Sequence, residues 1–91
     1  MSHLSINKDA LVKRIHRIVG QLHAIERGLI EDADCAQTLH LTAAVRGAVG
    51  GLMDELIEAH VHAHVADDAL TPMERREGAD ALVAAIRRYA K

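Results

Sequence analysis

The strongest constraint in this 91-residue sequence is an apolar series that keeps helical time. Leu11, Ile15, Ile18, Leu22, Ile25 and Leu29 follow one another at spacings of 4, 3, 4, 3 and 4. That rhythm puts all six on one stripe of an α-helix, close to a heptad seam. It predicts a first helix from near Asn7 to about Ile30, with Gly20 inside it at some loss of helix propensity. The acidic stretch Glu31-Asp32-Ala33-Asp34 then reads as a turn.

A second stripe follows: Cys35, Leu39, Thr42, Val45, Val49, Leu52 and Leu56. Asp34 as N-cap with Gln37 three residues on has the form of a capping box. The pattern carries through His60 to His64, about thirty residues in all, long for a globular helix. Gly47, Gly50 and Gly51 near its middle allow another backbone to come close, with a kink as the competing outcome. Asp67-Asp68-Ala69-Leu70 reads as a loop. A third helix is announced by Thr71 as N-cap, Pro72 in the first helical position and Glu74 closing the box. Ala79, Leu82, Val83 and Ile86 give it a short apolar face. Arg87, Arg88 and Lys91 sit in its last turn, where positive charge suits the helix dipole. No strand pattern or repeat competes, so the fold class is all-α: residues 1–91 form one domain, a three-helix protomer.

Such a protomer is short of core. The sequence has no Phe and no Trp, and Tyr89 is its single aromatic. Ala, Leu, Val and Ile supply most of the apolar share, and small chains bury a modest fraction of their surface. Association with further copies is therefore expected to complete the core.

The net charge is −2, which by itself does not mark a nucleic-acid binder. Its distribution is uneven. Residues 1–30 hold Lys8, Lys13, Arg14, Arg17 and Arg27 against Asp9 and Glu26, whereas residues 54–68 hold five acids and no Lys or Arg. One end is suited to phosphates and the other to cations, or both are solvated helix faces. One cysteine excludes an internal disulfide and fits a reducing compartment. No apolar run approaches the ~20 residues of a membrane span, and the first residues lack a secretion signal's blocks. The expected location is the cytoplasm, with no membrane partner.

Seven histidines stand out: His3, His16, His23, His40, His60, His62 and His64. On a helix, His60 and His64 share a face and can chelate one ion, while His62 points away. A surface pair with no ligand is the plainer alternative. Cys35 lies 25 residues before His60. At ~1.5 Å per residue an unbroken helix separates them by about 37 Å, too far for one chain to bring both to one metal. A second, antiparallel copy removes the obstacle. The midpoint of 35 and 60 is 47.5, and that of 35 and 64 is 49.5; both fall in Gly47-Ala48-Val49-Gly50. A symmetric dimer crossing there would have two equal sites.

His3, on an arm before the first helix, is a further candidate ligand, with the Ser2 amine beside it if Met1 is removed. Such a mixed nitrogen and sulfur set suits nickel or cobalt; zinc more often takes four ligands. His16 and His23 suit phosphate contact or solvation better than metal, and His40 a supporting hydrogen bond. Arg46, next to the glycine-rich crossing, is either an ion-pair partner of Asp54 or Glu55 across a dimer or a cation facing DNA. No Ser/His/Asp set or nucleotide loop is present, so enzyme activity is not expected.

Arg17-Ile18-Val19-Gly20-Gln21, Asp34-Cys35, Ala43-Ala44-Val45-Arg46-Gly47-Ala48, Gly51-Leu52-Met53 and His60, in that order, closely resemble the CsoR/RcnR/FrmR family of bacterial repressors. The resemblance spans nearly the whole chain. It implies an antiparallel helical homodimer, two of which form a homotetramer, and an operator DNA bound without a helix-turn-helix and released on effector binding. His3, Cys35, His60 and His64 fall on the four side-chain ligand positions of the nickel/cobalt-responsive RcnR branch. The copper branch has Cys-His-Cys, and His64 stands on its second Cys position. The formaldehyde-responsive branch carries a proline where this chain has Ser2 and usually an acidic residue where it has His64. The persulfide-sensing branch needs a second cysteine. The chain departs from the common pattern at His40-Leu41-Thr42, where Gln-Gln-Ile is usual, at Gly50, where Asn is usual, and at His16, where a basic residue is frequent.

The resemblance thus implies a repressor in which Lys13, Arg14 and Arg17, with Lys8 and Arg46, neutralise DNA phosphates. Nickel or cobalt then moves the first helices off the duplex and derepresses an efflux gene. Zinc or monovalent copper is a lesser expectation. The alternatives are a formaldehyde-responsive repressor using Cys35, or a metal buffer or chaperone that binds no DNA.

Overall fold

A computed structural model describes residues 8–89 of the chain. They form three α-helices, α1 (Lys8–Ile30), α2 (Cys35–His64) and α3 (Pro72–Tyr89), and no strand occurs among the described residues. The expected elements are present within a residue or two of their expected bounds. α2 runs as one unbroken helix through Gly47, Gly50 and Gly51.

The described chain divides into two compact units, one ending at Met53 and the other beginning at Asp54. In the first, α1 lies against residues 35–53 of α2. The face of α1 turned inward is Leu11, Arg14, Ile18, Gln21, Ile25 and Gly28, at spacings of 3, 4, 3, 4 and 3. Leu11 and Ile18 are 5% and 8% exposed, and full burial of such a side chain is worth roughly 1.5–3 kcal/mol. Ile15, Leu22 and Leu29, the other half of the apolar stripe, are exposed, Leu29 at 64%. α2 behaves the same way. Thr38, Leu41, Val45, Ala48 and Leu52 are half-buried, whereas Leu39 and Val49 are exposed. Each stripe is therefore wider than the contact, which is offset around the helix by about one residue. The offset admits Arg14 and Gln21 to the inner face, where α2 offers the bare backbone of Gly51: a Cβ there would lie 2.5 Å from Nη1 of Arg14.

The turn between α1 and α2 closes by main-chain bonds. Ala33 N–H donates to the Gly28 carbonyl at 2.8 Å, six residues closing on one, while Asp32 holds a φ of 55°. This is a Schellman-type helix end with aspartate in the left-handed position that glycine usually fills. Asp34 stands at the N-cap of α2, its carbonyl accepting from Thr38 N–H at 3.1 Å. The expected side-chain box between Asp34 and Gln37 is not formed among the described residues; Thr38 and Thr42 instead donate their hydroxyls back to carbonyls four residues earlier.

In the second unit α3 returns to the end of α2. Asp67 accepts from Ala69 N–H at 2.9 Å, and Leu70 N–H donates to the Asp67 carbonyl, forming the connecting turn. The expected box at Thr71 is present in full. Glu74 N–H donates to Thr71 Oγ1 at 3.1 Å and Thr71 N–H to Glu74 Oε1 at 2.8 Å. Hydrogen bonding from Thr71 to the carboxylate, from its main-chain N–H first and its side chain second, holds the Glu74 carboxyl below its ordinary value. Gly78 is the buried residue of α3.

Candidate metal centre

The site is built at the end of α2. One turn of helix separates His60 from His64, and their ring centroids are 4.9 Å apart with planes tilted by 40°. Both side chains are half-buried. Nε2 of His60 lies 2.8 Å from the carbonyl oxygen of Gly78. A carbonyl only accepts, so Nε2 of His60 is the donor of this bond. Two imidazoles on one helical face are a donor pair suited to a borderline transition metal. His62, between them in sequence, points elsewhere: its Nε2 is 3.7 Å from Glu58 Oε1, and both side chains are exposed.

Cys35, the first residue of α2, is exposed and not disulfide-bonded. It borders an open cleft of about 190 Å³, lined also by Gly28, Leu29, Asp32, Thr38 and Leu39. The cleft lies in the unit ending at Met53, whereas His60 and His64 belong to the other unit. Among the described residues no group of three or more His, Cys, Asp or Glu side chains converges as a metal cage. His3 lies outside the described residues.

The basic residues divide into two kinds. Lys8, Lys13 and Arg17 on α1 and Arg46 on α2 are exposed. Arg14 is half-buried, with its guanidinium over Gly51. No helix among the described residues is long and apolar enough to cross a membrane.

Residues 7–88 match the family described as metal-sensitive transcriptional repressors. The chain belongs to the metal-sensitive transcriptional repressor family. Within that family, it is 41% identical over 91 residues to a protein of Serratia marcescens described as an uncharacterized protein in the bioA 5′ region, covering all of both chains. It is 36% identical, again over the full length of both, to the transcriptional repressor RcnR of Escherichia coli. Among solved structures it is similar to a variant of the formaldehyde-responsive regulator FrmR of Salmonella enterica serovar Typhimurium in which a glutamate is replaced by histidine. That match has a TM-score of 0.84 and 36% identity, covering 90% of this chain and 92% of that one. The three-helix fold expected of a family member is therefore the fold of the chain.

Two features of this repressor's site escape a reading of the sequence for ligands. Gly78 bonds one histidine and touches the other, and its signal was a lone glycine inside the well-capped helix α3. Arg14 falls in the basic run Lys13-Arg14, but its position on the inner stripe distinguishes it from Lys13 and Arg17.

Proposed function

We propose that this repressor holds operator DNA in its metal-free form and lets it go when His3, Cys35, His60 and His64 take up nickel or cobalt. The observation that carries the reading is the His60–His64 pair, two half-buried rings 4.9 Å apart on one helical face. Bound there, the metal supplies a fixed set of coordinate bonds that costs the protein its DNA-binding arrangement. Cys35 and the histidine pair reach a common ion from two antiparallel copies, giving a homodimer with two equal sites, and two such dimers form the homotetramer. Three features support that arrangement. The unbroken α2 keeps Cys35 and His60 apart in one chain. A Cβ at Gly47 or Gly50 would meet nothing within 4 Å, so this backbone is open to a partner. The exposed half of each apolar stripe gives the partner something to cover.

Lys13 and Arg17, with Lys8 and Arg46, present the cations that neutralise phosphate, so DNA affinity falls steeply with salt. Arg14 helps by seating α1 on α2 at Gly51. A 100-fold preference of metal for the DNA-free form is about 2.7 kcal/mol of coupling, sufficient for derepression of an efflux gene. Zinc and monovalent copper fit this donor set less well.

A second reading keeps the repressor and changes the trigger: formaldehyde adding at the Cys35 thiol. The cleft beside Cys35 and the likeness to a formaldehyde-responsive regulator favour it. The histidine pair speaks for metal, and that solved relative is itself a form given a histidine. Titrating the DNA complex with nickel and with formaldehyde separates the two. On the metal reading nickel releases DNA, Cys35→Ala and His64→Ala each raise the nickel needed, and formaldehyde has no effect. Release by formaldehyde alone reverses the assignment. A metal buffer without DNA function would show no salt-sensitive binding to its upstream DNA.

A further inference from the structure

α1 divides into three faces. One packs on α2 through Leu11, Ile18 and Ile25. A second is the exposed apolar line Val12, Ile15, Val19, Leu22 and Leu29. The third carries Lys13, His16, Arg17, Gly20, His23 and Arg27, every one exposed. At about 100° per residue these six fall within about 120° of the helix circumference, and from Lys13 to Arg27 they extend about 21 Å. A Cβ at Gly20, in the middle, would meet nothing within 4 Å. On this arc acids stand at the two ends: Asp9 one turn before Lys13, and Glu31 in the open cleft it shares with Arg27.

We propose that duplex DNA lies along this third face and that His16 and His23 are its proton-dependent phosphate contacts, so that DNA affinity rises as the pH falls. The proposal rests on the DNA reading above and adds to it a second input, the proton, and a further stretch of contact, up to Arg27. Three fixed cations make the strip a seat for a polyanion. Its length equals about six base pairs at ~3.4 Å each, and duplex DNA offers phosphates at every step of that length. The two imidazoles stand among those cations. Imidazole is the side chain whose charge ordinarily changes between pH 5 and 8. Neutral, it offers a phosphate one N–H; protonated, it offers two and a positive charge. The charged neighbours of His16 on α1 are Lys13 and Arg17, and those of His23 are Glu26 and Arg27. From α2 nothing titratable faces α1 among the described residues up to Met53: the half-buried residues there are Thr38, Leu41, Val45, Ala48, Gly51 and Leu52. No acid lies within a turn of His16, so the charge it gains is open to a phosphate.

The test is fluorescence anisotropy of a labelled duplex taken from the DNA upstream of the gene. Metal-free full-length protein is titrated in chelator at pH 8 and at pH 6, over a salt series. The wild type is expected to bind more tightly at pH 6. Its plot of log affinity against log salt should steepen by about 0.9 for each imidazole that neutralises a phosphate, up to about 1.8 per protomer on the duplex. His16→Gln/His23→Gln is expected to match the wild type at pH 8 and to lose the steepening. That variant retains the remaining histidines, so any proton effect arising elsewhere is common to both proteins. His16→Arg/His23→Arg is expected to show the steep slope at both pH values. Both positions are exposed, so the variants should keep wild-type helix content, which circular dichroism checks. A wild-type slope that is the same at pH 8 and pH 6 overturns the inference, with no variant needed. So does an equal steepening in the wild type and the glutamine variant. Tighter binding of polyglutamate than of duplex overturns the assignment of the strip to DNA. Wild-type protein that binds no duplex at either pH overturns the DNA reading as well.

Discussion

The two compact units treat their helix contacts in opposite ways. In the unit ending at Met53, α1 and α2 leave half of each apolar stripe uncovered, and the backbone at Gly47 and Gly50 is open. In the unit beginning at Asp54, the contact is closed: Gly78 brings α3 onto the backbone of α2, and the half-buried histidine pair is tied to it. The first unit leaves apolar surface open; the second holds its histidine pair against α3. A chain so poor in large side chains thus leaves apolar area exposed in one unit and closes the other through a single glycine contact.

The largest expected effect is on the covered half of the stripe in the first unit. Ile18→Ala should destabilise the folded protein by about 2–5 kcal/mol, because it truncates one of the two buried aliphatic side chains among the described residues. Denaturant unfolding checks this. Leu22→Ala should behave differently if its exposed half-stripe belongs to an interface. The protomer alone gives up little there, but the oligomer should weaken, moving the sedimentation profile towards smaller species at low concentration. Identical stability losses for Ile18→Ala and Leu22→Ala, with no change of assembly, would erase the distinction between covered and uncovered halves.

Most of the fold was legible from the sequence. The 4, 3, 4 rhythm of Leu11 to Leu29 and the Thr71-Pro72-Glu74 signal depend on local chemistry, and they set the helix limits correctly. The face that packs within one chain was not legible, because α1 and α2 each carry enough apolar residues for two contacts. Periodicity reports their sum, so Ile15, Leu22 and Leu39 read as one stripe with the residues that pack. The histidine pair was legible because i and i+4 share a helical face. Gly78 was not, because its place against the pair depends on where α3 docks, fourteen residues after the pair ends. Arg14 was grouped with Lys13 and Arg17 by charge, and only the position of Gly51 sets it apart.

Smaller effects sharpen the contrast at the ends of the units. Thr71→Ala removes one half of the box that starts α3 and should cost about 1 kcal/mol. If that fraying reaches Gly78, nickel affinity falls with it. Asp32→Gly in the first unit should instead stabilise by about 0.5–1 kcal/mol, since aspartate there holds a left-handed backbone at φ 55° that glycine adopts without strain. Nickel affinity should not change. Acid gives the smallest effect. The folded Glu74 carboxyl titrates below its ordinary value, so its contribution is complete above that value and is lost as pH falls through the lowered one. Helicity of α3 followed by NMR should fray from Thr71 in that acid window, and Glu74→Gln should remove this pH dependence.

The central claim is that sulfur from one copy and imidazoles from another meet at one ion, and mixing two crippled chains tests it directly. Tagged Cys35→Ala protein is co-expressed with His60→Ala/His64→Ala protein, and the mixed dimer is purified and titrated with nickel. The account predicts that one of its two sites regains wild-type affinity, since the second chain keeps Cys35 and the first keeps both histidines. Mixed dimers with no restored site would contradict it.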